Sequence, residues 1–531
     1  MKADDERRPE AAPSLPAPSV PGGRPRVCVP GDLQQAAAEA WSAVERWRSD
    51  TDSSRFLARF GGVLVWLEHA DDGALVTRPL DRRRVIAILA RAADFGRPDR
   101  EGEWLSSPPP RVVADDLLVD ACPPLPVLER IVEVPVLAPD GTIHERRGYH
   151  ADTRCFLAPA DGLRVPPVPA EPTARQLARA RRLLLDELLG DFPFAGPLDG
   201  AAERAHAVAA LLLPLLRGLI VGPTPLHVLT APTPGTGKTL LADTLMTPLL
   251  GHRPLVKMAE ARDPDEWRKR LTAKLRAAPP VVCVDNVQRL LDSSALALVI
   301  TTGVAEDRLL GLSEMVELPV RCVWLCTGNN VTLSAELTRR AVRIRLDAGV
   351  ELPELRTGFR HPDLLRWARE HRAELVWAAL VLGRAWVAAG CPDGPNPQLG
   401  GFEEWSRVLG GVLHVAEVPG FLANVDEMRE VGLDDELAGF LAAVYDRRGR
   451  ANGAGAEFAA RDILRLAREH LGLDGDDARV LQRAGVRLRE AVDRPLRGLV
   501  LRRGGLSAGT RRWRVEPVGD GDARARVGGG E

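Results

Sequence analysis

The sequence predicts an α/β protein. A core built on a parallel sheet is preceded by a small α+β domain and followed by a helical segment and a small C-terminal module. Three observations predict it. Short apolar segments at 226–231, 281–284 and 320–326 alternate with helical patterns, as buried parallel strands alternate with crossover helices. The first runs into a turn of Pro, Gly and Thr and then into a second apolar run, "LHVLTAPTPGTGKTLLADTL". Around Pro172 the pattern shifts from short strand-like segments to long helical ones.

Bulk properties narrow the choices. The chain has 531 residues, room for about three or four domains. Hydrophobic residues make up 45%, enough for a sizeable core, and the formal charge of -2 alone says nothing about a polyanionic partner. The seven cysteines, at 28, 122, 155, 283, 322, 326 and 391, are scattered and form no CxxC pair. Cys322 and Cys326 lie in an apolar segment without a matching Cys/His pair, so they read as core thiols, not a zinc site. The start, "MKADDERRPE", lacks an apolar signal core. The longest apolar helix candidate, "ELVWAALVLGRAWVAAG", carries Arg384 and is too short to span a bilayer. A cytoplasmic protein with no membrane partner is expected.

Taken in order, residues 1–50 read as a disordered Pro-rich leader, with seven prolines in 9–30. Residues 55–170 read as a small α+β domain of unknown role. Within it, "GGVLVWLEH" and "GALVTRPL" form a hairpin around Asp71–Gly73, and "DRRRVIAILARAADF" is helical. Short strands follow, separated by turns such as Pro139-Asp140-Gly141, and the domain contains no catalytic cluster. Residues 172–355 hold the α/β core, opened by an amphipathic helix in "PTARQLARARRLLLDELLGDF" and a second helix over about 201–219. A helical segment covers 356–445. Residues 456–517 read as helix, helix and two strands around a Gly-rich turn, and 518–531 as a disordered tail.

Lysine usage singles out the turn. The chain has only five lysines, Lys2, Lys238, Lys257, Lys269 and Lys274, against 66 arginines. An ammonium is a compact point charge where guanidinium is a wide fork, and only the former fits between phosphates in a tight loop. In a phosphate-binding loop, successive N–H groups converge on the phosphates and the following helix adds the positive end of its dipole. Glycines allow close approach, the lysine reaches the β- and γ-phosphates, and the next hydroxyl takes Mg²⁺. Pro234, Gly235, Thr236, Gly237, Lys238, Thr239 and Leu240 meet these needs for ATP, with Thr239 toward Mg²⁺. One departure is visible: Pro232 stands where the usual eight-residue pattern begins with glycine.

Such a site needs a carboxylate for Mg²⁺ at the tip of a neighbouring strand. "PPVVCVDN" supplies Asp285, 47 residues after Lys238. Most hydrolysing relatives of such sites follow this Asp with Glu, but here the position is Asn286. An amide cannot act as a base, though it can orient a water. Glu306, Asp307 and Glu314 are the unranked alternatives. "RCVWLCTGNN" ends in Thr327, Gly328, Asn329 and Asn330. Asn329, 44 residues after Asp285, is placed to hold the attacking water. In "AELTRRAVRIRLDA", Arg339 and Arg340 precede a strand. One can pair within its own subunit while the other reaches a neighbour's γ-phosphate. Arg308 is a weaker candidate.

"APTPGTGKT", "VVCVDN", "CTGNN" and "LTRRAVRIRLD", in that order and spacing, resemble the AAA+ ATPases of phages and integrated mobile elements. That family is related to superfamily 3 helicases and to the helicase half of phage and viral primase-helicases. "GFEEWSRVLGGVL" resembles the helical segment that follows the ATPase core in the same proteins. The resemblance covers roughly 172–445. It implies a P-loop AAA+ core and an ATP-driven hexameric ring that encircles and translocates DNA. No primase acid cluster is recognisable upstream, so a primase or polymerase partner would be a separate protein.

Charge is concentrated near the C-terminus. Between Arg479 and Arg514 stand eleven arginines and two acids, Glu490 and Asp493, a surplus of nine. "ARVLQRAGVRLREAV" is a helix carrying Arg483 and Arg487, with Arg494 following. "GLVLRRGG" and "TRRWRVEP" form a hairpin carrying Arg502, Arg503, Arg511, Arg512 and Arg514. Helix, helix and hairpin make a winged-helix-like plan, with a basic helix toward a groove and a basic wing on phosphates. Trp513 either stacks on a base or anchors the hairpin. The expected function is an ATP-dependent DNA helicase or translocase acting in replication of a phage or mobile element. Two alternatives stay open: an AAA+ remodelling or loading ATPase without unwinding, and a nucleotide-gated DNA-binding switch with little hydrolysis.

Overall fold

The computed structural model describes residues 23–517 apart from 30–31, 72, 121, 289, 309–314, 396–397, 426–434, 449–455, 460–463, 472–475, 494, 497–498 and 508–509. Residues 1–22 of the expected leader, the expected tail 518–531, Glu314, Arg494 and the side chains of Arg308 and Arg511 lie outside the described residues. The chain divides into two compact units. The first comprises 1–288, 293–331 and 340–423, and the second 289–292, 332–339 and 424–531.

The first unit corrects the expected extent of the leader. Leu33–Trp47 is a helix, capped by the Asp32 side chain accepting from the Gln34 amide, and it buries Ala36, Ala37, Ala40, Trp41 and Val44. Arg26–Cys28 is a strand in parallel register with Asp94–Pro98. The Pro-rich composition upstream masked an alanine-rich segment with a good N-cap and an apolar stripe, which is all a short docked helix needs. Beyond it, Leu57–Phe60, Val63–His69 and Leu75–Pro79 form an antiparallel sheet. Short strands at Arg130–Val132, Gly148–His150 and Cys155–Leu157 form another. Ala174–Arg182 opens on a capping box between Thr173 and Gln176.

The core sheet is assembled from β1 (Leu226–Ala231), β2 (Lys257–Ala259), β3 (Val281–Val287), β4 (Val323–Asn329) and β5 (Ala341–Arg345). All five are parallel, in the order β2-β3-β4-β1-β5. Every residue of β1 is buried, as a central strand with both faces covered requires. Helix α1 (Lys238–Leu250) leaves the carboxyl end of β1, and α2 (Pro264–Leu275) connects β2 to β3. The strand that carries Asp285 was expected beside β1; β4 lies between them. Strand order follows from the path of the crossovers, which apolar periodicity does not encode.

Val304–Arg308 and Met315–Pro319 pair antiparallel as a hairpin outside the five-stranded sheet. The long apolar segment singled out in the sequence forms Arg372–Ala388, a core helix with twelve buried residues, among them Trp377 and Trp386. Its Arg384 donates to the carbonyl of Gly141. Among the described residues no helix is long and apolar enough to cross a membrane.

The second unit has its own core, in which Phe440, Phe458, Val480, Leu488 and Trp513 are buried. Asp477–Glu490 is a helix capped by Asp476. Leu499–Ser507 and Thr510–Pro517 form the expected hairpin. Ala456–Ala459, read as helix from the sequence, is instead a strand paired with Thr510–Pro517.

Candidate functional site

The loop between β1 and α1 turns on two glycines in left-handed conformations, Gly235 at φ 75° and Gly237 at φ 99°. A β-carbon disfavours that region, so glycine is the natural residue at both points. Thr236 is buried, and its hydroxyl donates to the carbonyl of Thr233 at 2.8 Å. Lys238 begins α1, and its Nζ donates to the same carbonyl at 3.3 Å. Partial burial pushes the ammonium pKa down. Pro234, Thr239 and Leu240 are exposed around this turn.

The tips of β3 and β4 are joined by one hydroxyl. Thr327 Oγ1 donates to Asp285 Oδ1 at 2.6 Å and accepts the amide of Asn286 at 3.1 Å. The β3–β4 register breaks between Val284 and Val287, and Asn286 there has φ 58°. Asn is among the few L-residues that tolerate this conformation. The amide of Asn330 donates to the carbonyl of Ala231 at 3.0 Å, which ties the end of β4 to the start of the glycine-rich loop. Asn329 is exposed at the last position of β4, in register with Ala231. Thr327 and Asn330 therefore make the contacts at this tip.

The alternative carboxylates sit elsewhere. Glu306 and Asp307 belong to the hairpin, not to the five-stranded sheet. Glu306 is exposed opposite Glu317, while Asp307 accepts from Thr272 Oγ1 and lies 3.6 Å from Arg268 Nε. Arg339 is exposed at the end of the short helix Ala335–Thr338 and falls in the second unit. Arg340 falls in the first, and its carbonyl accepts the amide of Leu226 at 2.9 Å.

Sequence reasoning missed two neighbours of the loop. A β-carbon on Gly235 would lie 2.7 Å from Glu354 Oε2, and one on Gly237 would lie 3.7 Å from the Phe192 ring. No local signal marks either residue, because both reach the loop through the tertiary fold. A cavity of about 660 Å³ elsewhere in the first unit is lined by Val76, Ile131, Met258 and Val282, with Arg253 and Lys274, and by no residue of the glycine-rich loop.

The residues fit a phosphate ligand and a divalent cation. Among the described residues Lys238 reaches a backbone carbonyl and no carboxylate, although it is partly desolvated. Asp285 is oriented by Thr327 and has no ion pair among the described residues. Lys257, one of the five lysines, pairs with Asp243 on α1 at 2.9 Å. Cys322 and Cys326 are buried, and burial pushes the Cys322 thiol up to about 12.

In the second unit the arginines divide. Arg502 pairs with Asp493 at 2.9 Å and with Glu516 at 3.2 Å. Arg514 and Arg512 pair with Glu457 at 2.6 and 3.8 Å, and these guanidiniums hold the Glu457 carboxyl below its ordinary pKa. The excess of positive charge on the hairpin is thus smaller than a count over 479–514 suggests. Arg483 and Arg503 are exposed and have no ion pair among the described residues. Trp513 is buried opposite Phe458, which makes it a hairpin anchor and not an exposed stacking platform.

No family model matches this chain, and no curated protein matches it. Among solved structures, "The X-ray structure of JCV Helicase" is similar over 48% of this chain and 72% of that one, at 18% identity and a TM-score of 0.19. A likeness of that size carries no argument about fold or function.

Proposed function

We propose that this chain is an ATP hydrolase of the AAA+ kind that binds DNA and acts as a ring-forming helicase or translocase. On this reading it serves replication of a phage or mobile element. The observation that carries the proposal is the position of Lys238. It stands at the first turn of α1, after a glycine-rich loop at the carboxyl end of the interior strand β1, where ligands of open parallel sheets bind. Backbone amides from Gly235 to Thr239 and the Lys238 ammonium bind and orient the phosphates. Thr239 and Asp285 would hold Mg²⁺, which supplies charge neutralisation on the phosphates. Thr327 keeps Asp285 in place. Exposed Arg339 is the residue offered to a neighbouring subunit. The helix Asp477–Glu490 and the hairpin after it act as a winged-helix-like DNA contact, chiefly through Arg483, Arg487 and Arg503.

The first test is ATP hydrolysis by the purified full chain, with and without single-stranded DNA, beside Lys238→Ala. Turnover that rises with DNA and vanishes in the variant is the expected result. A second reading, a nucleotide-gated DNA-binding switch, is favoured by one feature: Asn286 holds the place of the usual base and presents an amide. ATP binding without measurable turnover in either condition would reject the motor and leave the switch.

A further inference from the structure

Glu354 lies against the glycine-rich loop. A β-carbon on Gly235 would come within 2.7 Å of its Oε2, 3.2 Å of its Cβ and 3.4 Å of its Cδ. The carboxylate is not on a loose tether. It belongs to the turn Pro353–Leu355, whose Pro353 is buried. The residues just after the turn are pinned to the segment before the core. Arg356 Nη2 donates to the carbonyl of Asp191 at 3.0 Å, and the Arg360 amide donates to Asp191 Oδ2 at 2.7 Å. Arg360 Nη1 donates to the carbonyl of Asp186 at 2.7 Å. Glu354 has no ion pair or hydrogen bond among the described residues, so no cation there cancels its charge.

Every other feature of the loop favours an anion: left-handed glycines that turn amides inward, the start of a helix, and Lys238. Glu354 places a negative charge beside that cradle. Like charges in contact disfavour each other, and because Glu354 is exposed that penalty is screened by salt. We propose that Glu354 is a specificity-determining residue of this site, whose carboxylate sets an affinity penalty that grows with the phosphate charge of the ligand. The proposal rests on reading the loop as a nucleotide site. It makes the resting site selective against casual occupancy by phosphate anions.

The test is fluorescence titration of the full chain with mant-labelled adenosine, ADP and ATP, in Mg²⁺ and in EDTA, at low and high salt. Wild type is compared with Glu354→Gln, Glu354→Ala and Lys238→Ala. The side chain is exposed, and a thermal midpoint for each variant verifies that it folds. Glu354→Gln is expected to bind mant-ATP about fivefold tighter or more, mant-ADP with a smaller gain, and mant-adenosine unchanged. The gain shrinks at high salt. Binding of mant-ATP by Glu354→Gln that equals or falls below wild type, while Lys238→Ala still abolishes it, overturns this proposal and leaves the nucleotide reading intact. An equal gain for mant-adenosine overturns it too, since that effect is steric. No binding to wild type or to Glu354→Gln overturns the nucleotide reading itself.

Discussion

Thr327 Oγ1 lies 2.6 Å from Asp285 Oδ1 and 3.1 Å from the amide nitrogen of Asn286, so one buried hydroxyl sets both residues at the tip of β3. Thr327→Val keeps the shape and removes both bonds. A group that orients a metal-binding carboxylate is worth about 10- to 100-fold in function, and the part-buried Asn286 amide left without its acceptor costs about 1 kcal/mol. ATP turnover is expected to fall at least tenfold while mant-ATP affinity changes much less, and Thr327→Ser should restore most of it. Steady-state kinetics beside a thermal melt checks this. Wild-type turnover in Thr327→Val would remove Thr327 from the site.

Asn286 sits at φ 58°, where an ordinary side chain is disfavoured. Asn286→Glu supplies the carboxylate that such sites usually carry. It is expected to raise ATP turnover and to cost about 1–2 kcal/mol of stability through backbone strain. Asn286→Gly relieves the strain and serves as the control for stability. Loss of turnover in the Glu variant would place the base on another residue.

Two buried histidines give folding a pH dependence. His206 Nδ1–H donates to the carbonyl of Arg343 at 2.9 Å, and its Nε2 accepts the Leu422 amide at 3.1 Å. Protonation would set an N–H against an N–H. Burial pushes the His206 pKa down to about 4 and that of His227 down to about 3. The unfolded state, near 6.5, binds more protons through this interval, so stability is full above about pH 6.5 and is lost as pH falls toward 4. His206 alone accounts for roughly 3 kcal/mol of that loss. His206→Gln can keep both hydrogen bonds. Denaturant midpoints at pH 7 and pH 4.5 are expected to differ less in this variant than in wild type.

The arginine surface makes a selective prediction. Arg483→Ala and Arg503→Ala should each weaken single-stranded DNA binding and lower the magnitude of the salt slope by about one. Arg502→Ala removes a partner of Asp493 and Glu516. It should leave the slope nearly unchanged and cost about 1 kcal/mol or less of stability, as partly exposed pairs do. Equal slopes for all three variants would show that the ion pairs do not sort the arginines by role. Affinity measured across a salt series decides.

Some of this molecule was legible residue by residue. The strand, glycine-rich turn and helix around Lys238 are consecutive, so their apolar pattern, turn chemistry and lysine choice could be read locally. The hairpin Val63–Pro79 and the strand Ala341–Arg345 were legible for the same reason. The Leu33–Trp47 helix was missed because proline-rich composition was extended past the point where Asp32 and an alanine stripe take over.

What only the tertiary structure decided is which distant residues share a place. β4 lies between β1 and the strand of Asp285, which makes Thr327 the partner of Asp285. Glu457 returns to neutralise arginines counted as a free basic surface. Glu354, distant in the chain, reaches Gly235. Local sequence determines conformation, because φ, ψ and side-chain burial respond to near neighbours and to a repeating period. The order of strands and the meeting of charges depend on how crossovers pack around one core. That is a property of the whole chain, and no window of residues contains it.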